Sequence, residues 1–270
     1  MLKIIVLGYT GMLGSYVYSY FKQAGYEVIG KGHDCINALE ITYPELDYWL
    51  STVCDPGDIV INCIGLIKQK NYTVKDQIIV NALFPHLLAD VCEVNNVNFI
   101  HISTDCVFSG MRGHYSEDDL HDCTDTYGKT KSLGEPQNAT VIRTSIIGEE
   151  KNTAYSLLSW VLSQKEIKGY VNHLWNGMTC LQLAKEIEQI IKHELYWLGV
   201  CHFFTIPEIT KYDLCQVIAD VYKLDIKIEK HDTDICDRTL ITIYDGWQVV
   251  NKNYTEQIYK QKEFTEKWMK

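Results

Sequence analysis

The chain lacks most of the features that would send it to a specialised class. Its 270 residues contain no Cys-x-x-Cys and no cysteine–histidine spacing suited to a metal. The residues after Met1 run straight into an apolar strand pattern, so no signal peptide is expected, and no apolar segment is read as approaching the ~20 residues that span a bilayer. Ten scattered cysteines without a framework imply reduced thiols and a cytoplasmic protein. There is no low-complexity tract and no internal repeat. Positive charge is short: 25 Lys and Arg against 35 Asp and Glu leave a net charge of -10, which excludes a general nucleic-acid or membrane-surface role. Arginine is scarcest, with only Arg112, Arg143 and Arg238, so each one kept is a candidate for a specific task.

What remains is an ordinary globular composition, 46% apolar and 22% charged, long enough to bury a large core. Short apolar runs alternate with helical patterns. Strands are expected at Lys3 to Leu7, Glu27 to Ile29, Ile59 to Ile64, Phe99 to Ser103 and Thr140 to Arg143. Helices are expected over about Gly11 to Ala24, Pro44 to Val53 and Gln77 to Asn95, and around Tyr127 until near Pro136. This alternation predicts an α/β chain built on a Rossmann-type doubly wound parallel sheet. Past about Ile147 the pattern loosens. Helices over Ala154 to Ser163, Leu181 to Lys192 and Lys211 to Tyr222, with a strand over His202 to Thr205, suggest a smaller C-terminal α/β domain. The expected division is a cofactor domain over 1–148 and a mainly substrate-binding domain over 149–270, some of whose elements return to the first.

Gly8-Tyr-Thr10-Gly11-Met12-Leu13-Gly14 links the first strand to the first helix. In that position the glycines permit a tight turn, a close backbone approach to a pyrophosphate and close helix–sheet packing, while the helix N-terminus favours an anion. After the second strand, where a carboxylate would bind a ribose diol, the chain has Lys31. A cation there suits a 2′-phosphate, so NADPH is preferred over NADH, with Asp34 as the residue that would restore NAD binding if the strand ended later. Tyr127 and Lys131, four residues apart on a helix, share one face. An ammonium beside a phenol lowers the phenol's pKa and makes it a usable proton donor near neutrality.

These segments, with Asn62, Val80-Asn81-Ala82 and His101-Ile-Ser103-Thr104-Asp105-Cys106-Val107-Phe, occur in the order seen in extended short-chain dehydrogenase/reductases. More narrowly, the chain resembles the dTDP-4-dehydrorhamnose reductase (RmlD-like) family, densely to about residue 148 and more thinly through Trp175-Asn176, His202, Lys211-Tyr212 and Arg238. The resemblance implies that Tyr127 protonates a substrate carbonyl oxygen, that Lys131 holds the nicotinamide ribose, and that Thr104, with Ser103 as a second donor, holds the carbonyl. It assigns Glu40 and Ile41 to an adenine pocket, Cys63, Ile64 and Gly65 to the cofactor-facing strand end, and Asn81 to its support. Asp105, Cys106, Val107, Trp175 and Asn176 become candidate substrate contacts. Arg143 and Arg238 become candidates for a diphosphate, with an internal ion pair as the equal alternative for Arg143.

Dehydratases of the superfamily carry Thr-Asp-Glu where this chain has Thr104-Asp105-Cys106, so reduction is favoured over elimination. The loop Asn62-Cys-Ile-Gly65-Leu-Ile-Lys68-Gln69 departs from the family pattern, which points to a sugar other than the rhamnose precursor. Expected partners are a nucleotide sugar and, as a homodimer, a second copy of the chain; no metal is called for. The competing reading is a catalytically silent, NADP-binding regulator resembling the methionine adenosyltransferase β-subunit; a nucleotide-sugar epimerase is a third.

Overall fold

A computed structural model of the chain describes residues 2–150, 154–246 and 248–269. In the first half, β1 (Lys3–Leu7), α1 (Met12–Gln23), β2 (Glu27–Lys31), α2 (Tyr43–Val53) and β3 (Ile59–Asn62) lead into one long helical stretch. This consists of α3 (Val74–Gln77), a π-helical segment at Ile78–Leu83, and α4 (Phe84–Val94). Then come β4 (Asn98–Thr104), a 3-10 turn at Asp105–Val107, α5 (Thr126–Leu133), β5 (Thr140–Thr144) and β6 (Ile146–Ile147). The second half holds α6 (Leu157–Leu162), β7 (Glu166–Tyr170), β8 (His173–Trp175), β9 (Met178–Thr179), α7 (Cys180–Lys192), β10 (Gly199–His202), β11 (Phe204–Thr205), β12 (Ile209–Thr210), α8 (Lys211–Tyr222), β13 (Lys227–His231), β14 (Cys236–Asp237), β15 (Val249–Val250) and α9 (Tyr254–Trp268).

Six parallel strands form the main sheet in the order β10-β5-β4-β3-β1-β2. The order reverses beside β1, and such a switch point leaves a crevice at the carboxyl ends of the strands. Ile4, Ile5, Val6 and Leu7 are fully buried because helices cover both faces of the sheet. On one face Tyr16, Val17 and Phe21 of α1 pack with Leu183, Ala184 and Ile187 of α7. On the other, Leu46 and Leu50 of α2 pack with Phe84, Leu88 and Val91 of α4. A separate cluster joins α6, α8 and α9 through Leu158, Val161, Leu214, Ile218 and Ile258.

Two expectations change. The second strand continues past Ile29 to Lys31, whose register partner is Leu7, so the cation ends the strand instead of following it. The stretch Val74–Val94 is, by length and composition, apolar enough to cross a bilayer, contrary to the sequence reading. It lies against the sheet, with Val80, Phe84, Leu88 and Val91 in the core, which accounts for its apolar character.

Candidate active site

A cavity of about 550 Å³ opens at the carboxyl ends of β1, β3 and β4. At one end Thr10, Gly11, Met12 and Leu13 line it. Helix α1 begins here without a side-chain cap and without an acidic residue in its first turn, whereas α7, α8 and α9 are capped by Thr179, Thr210 and Asn253. Its first amides are left to a ligand with negative charge. The approach depends on Gly14: a Cβ there would collide with the Gly8 carbonyl and the Tyr9 backbone, and α1 could not close onto the loop.

At the other end stand Ser103, Thr104, Asp105, Cys106, Tyr127 and Lys131. Asp125 caps α5, its carboxylate accepting from the Gly128 N–H at 2.9 Å. Gly128 itself lets α5 press against the strand end, since a Cβ would meet the Cys106 carbonyl and Cys123. That contact brings Tyr127 onto the same cavity wall as Thr104. Thr104 Oγ1 also accepts from the Cys106 N–H and donates to Asp105 Oδ1, both at 3.1 Å, which fixes its rotamer.

The expected effect of Lys131 on Tyr127 is not found. Burial dominates and, with the neighbouring Cys106, pushes the phenol above its ordinary value, opposed by the nearby Thr104 hydroxyl. Lys131 is buried and looks toward the sheet, its Nζ donating to the Ile102 carbonyl at 2.8 Å with His101 Nε2 at 3.3 Å. Burial brings this lysine down to about 8, with Glu135 and Cys63 acting in the opposite direction.

Cys63, Ile64 and Gly65 line the cavity and continue into Ile67, Lys68, Gln69, Lys70 and Tyr72. Asn81 braces this loop: its Oδ1 accepts from the Leu66 N–H at 2.8 Å and its Nδ2 donates to the Leu66 carbonyl at 2.9 Å. The same amide reaches Thr130 Oγ1 at 3.3 Å, tying the loop to the helix of Tyr127. Gly8, Gly14, Lys31, Glu40, Ile41 and Asn81 lie off the cavity wall. Lys31 stays beside the phosphate loop, its carbonyl accepting from the Gly8 N–H at 2.9 Å, while Glu40 is exposed and bonded to Asn37.

Several candidate substrate contacts are engaged elsewhere. Arg143 is 2% exposed. Its Nε and Nη2 donate to Glu135 at 3.0 and 2.6 Å, Nη1 to His202 Nε2 at 2.7 Å, and Nη2 also to His121 Nε2 at 2.7 Å. The internal ion pair is therefore the observed arrangement, and Arg143 does not line the cavity. Ser103 donates to the same Glu135, so its hydroxyl hydrogen is taken. Val107 is fully buried. Trp175 lies in the α6–α8 core and donates Nε1–H to Ser145 at 2.9 Å. Asn176 exchanges both amide bonds with the Leu240 backbone, at 2.7 and 3.0 Å. Asn176 thus holds the Leu240 backbone in place, and neither residue lines the cavity.

Arg238 is half-buried and donates Nε–H to the Phe108 carbonyl at 2.8 Å. Its charge acts on Cys106 and Asp105. Lys68 acts on the same Cys106 thiol, and Lys211, lowered to about 8 by burial, is in turn raised by Asp105 and Cys106. All three cations act on Cys106, and of them only Lys68 lines the cavity. Lys211, whose Nζ stands 4.6 Å from the Trp175 ring centroid, enters the sequence reading only as part of the resemblance and carries no site role there.

Residues 2–235 match a family described as the RmlD substrate binding domain. The chain belongs to this family. It is 27% identical to a dTDP-4-dehydrorhamnose reductase of Aggregatibacter actinomycetemcomitans over 82% of this chain and 79% of that protein. It is also 24% identical to the methionine adenosyltransferase 2 subunit beta of Xenopus laevis, over 82% of this chain and 72% of that one. Among solved structures, the dTDP-4-dehydrorhamnose reductase of Bacillus anthracis in complex with NADP superposes with a TM-score of 0.83, covering 98% of this chain and all of that one at 16% identity.

Proposed function

We propose that this RmlD-family chain is an NADPH-dependent oxidoreductase that reduces the 4-keto group of a nucleotide-activated 6-deoxy sugar in the cytoplasm, for deoxysugar or surface-polysaccharide synthesis. The observation that carries the reading is that Thr104, Tyr127 and Lys131 line one cavity with the uncapped N-terminus of α1. The residues suit a dinucleotide: the Met12 and Leu13 amides for the pyrophosphate, Lys31 at the strand end for a 2′-phosphate, and Lys131 near the ribose position. When bound, the reduced nicotinamide supplies the hydride.

Tyr127 gives its proton to the substrate carbonyl oxygen as negative charge develops there; Thr104 joins it at the carbonyl only if its hydroxyl turns from Asp105. Because burial keeps the phenol protonated at neutral pH, Tyr127 stands in its proton-donating form, which suits reduction. Cys106, whose thiol burial pushes up to about 12, offers neither the acid nor the base that water elimination needs. The cations Lys68, Lys211 and Arg238 suit a nucleoside diphosphate. Arg238→Ala is expected to raise the apparent KM for the sugar nucleotide by at least ~10-fold through loss of one charged contact. An unchanged KM would remove Arg238 from the substrate site.

The deciding experiment follows NADPH oxidation against dTDP- and UDP-linked 4-keto-6-deoxy sugars, including 2-acetamido forms, generated in situ. Turnover with at least one is expected, at an efficiency above that with NADH; equal use of NADH would sink the 2′-phosphate role of Lys31. Tight NADPH binding without turnover on any sugar would favour the regulatory reading suggested by the subunit beta relatives. Against that reading stand Thr104, Tyr127 and Lys131, all present on one cavity wall.

A further inference from the structure

We propose that Asn62 and His101 are positioning residues for Lys131: the Asn62 amide selects the His101 tautomer, and that tautomer turns an N–H toward the lysine nitrogen. The two residues are register partners on β3 and β4, and both are fully buried. The orientation of the Asn62 amide is set by the backbone, because the Ile64 N–H donates to Asn62 Oδ1 at 3.0 Å. Asn62 Nδ2 consequently faces His101 Nδ1 at 3.1 Å. An amide NH2 can only donate, so Nδ1 must present its lone pair, and the proton of a neutral ring sits on Nε2.

His101 is neutral near pH 7, since burial and the charges of Lys131 and His86 hold it well below its ordinary value. Its Nε2 lies 3.3 Å from Lys131 Nζ. A neutral amine accepts this N–H. An ammonium cannot, and would set donor against donor with only the Ile102 carbonyl as acceptor. The other groups facing Lys131, Glu135 and Cys63, favour its charged form. Glu135 is already engaged by Arg143 and Ser103. The Asn62–His101 pair therefore eases proton loss from Lys131, and its value to catalysis rests on the reductase reading above.

The test is nitrogen NMR on the full chain with 15N-labelled histidine near neutral pH, the His101 signals being assigned from their loss in His101→Gln. The wild type is expected to show a protonated Nε2 and an unprotonated Nδ1. A protonated Nδ1 would overturn the proposal, and the tautomer itself is read on the wild-type chain. Asn62→Asp offers acceptors only, so it should move the proton to Nδ1 and free the Nε2 lone pair for the ammonium. The Lys131 titration midpoint, read from its 13C-labelled ε-methylene, should then rise by about one pH unit or more. A switched tautomer with an unmoved midpoint would also overturn the proposal. Neither readout uses a substrate, so a failure here and a failure of the proposed reaction can be told apart.

Discussion

Tyr127→Phe is expected to lower the rate of ketone reduction by ~10²–10⁴-fold, the range for loss of a positioned general acid. The change should fall on kcat with little effect on KM, because the hydroxyl is needed where charge develops on the carbonyl oxygen and the ring's packing is kept. Phenylalanine fills the same space on the face of α5 and leaves Asp125 capping the helix. Unfolding of the variant should therefore match the wild type. Retention of turnover within tenfold would transfer the proton donor elsewhere, with Asp105 as the next group on the cavity wall. Thr104→Val, which keeps the shape but removes the hydroxyl, should show a smaller loss of the same kind.

The second large effect concerns stability. Arg143→Ala should destabilise the protein by ~3–5 kcal/mol, because Glu135 would stay buried without its cation. The double variant Arg143→Met with Glu135→Gln should recover part of that loss, since it removes both charges. Urea unfolding of the three proteins checks this; an Arg143→Ala midpoint equal to the wild type would show that the pair is not the support it is taken for.

The same cluster gives a pH dependence with a definite sign. His202 accepts from Arg143 at Nε2 and donates Nδ1–H to the Ile241 carbonyl at 2.8 Å, so it must be neutral. Burial and the neighbouring guanidinium lower it to about 4. The unfolded chain takes up this proton near its ordinary value of 6.5, and the folded chain does so only near 4. Stability is then fully present above about pH 6.5 and is lost as pH falls toward 4. His202→Gln should flatten that slope, as seen in urea midpoints measured across the window.

The first half of the fold was legible because its elements are locally determined. Lys3–Leu7 is apolar at all but one residue because both faces are covered, and the glycines of the phosphate loop announce the turn after it. Elements such as β8, β12 and β14 were not, being two or three residues long and paired with residues 34 to 63 positions away. The site divides in the same way. Tyr127, Thr104 and the Gly8–Gly14 loop carry recognisable local patterns. The roles of Arg143, Trp175 and Asn176 depend on what the tertiary structure sets beside them. Arg143 meets His202 through the register of β5 with β10, and Asn176 meets Leu240 across 64 residues of chain. No spacing in the sequence encodes those meetings. Lys131 shows the same limit: its position relative to Tyr127 was readable, but the strand atoms that hold its nitrogen were not.

The place of β10 has a consequence for synthesis. Strand β5 ends at Thr144, yet the strand that covers its open edge begins at Gly199, beyond two helices and several short strands. At translation rates of about 5–20 residues per second, the intervening 54 residues take roughly 3–11 s to appear. Throughout that interval a nascent chain holds an uncovered β edge and a guanidinium still waiting for His202. Helper proteins that shield sheet edges on the ribosome should therefore raise the yield of this chain most when they act between these two points.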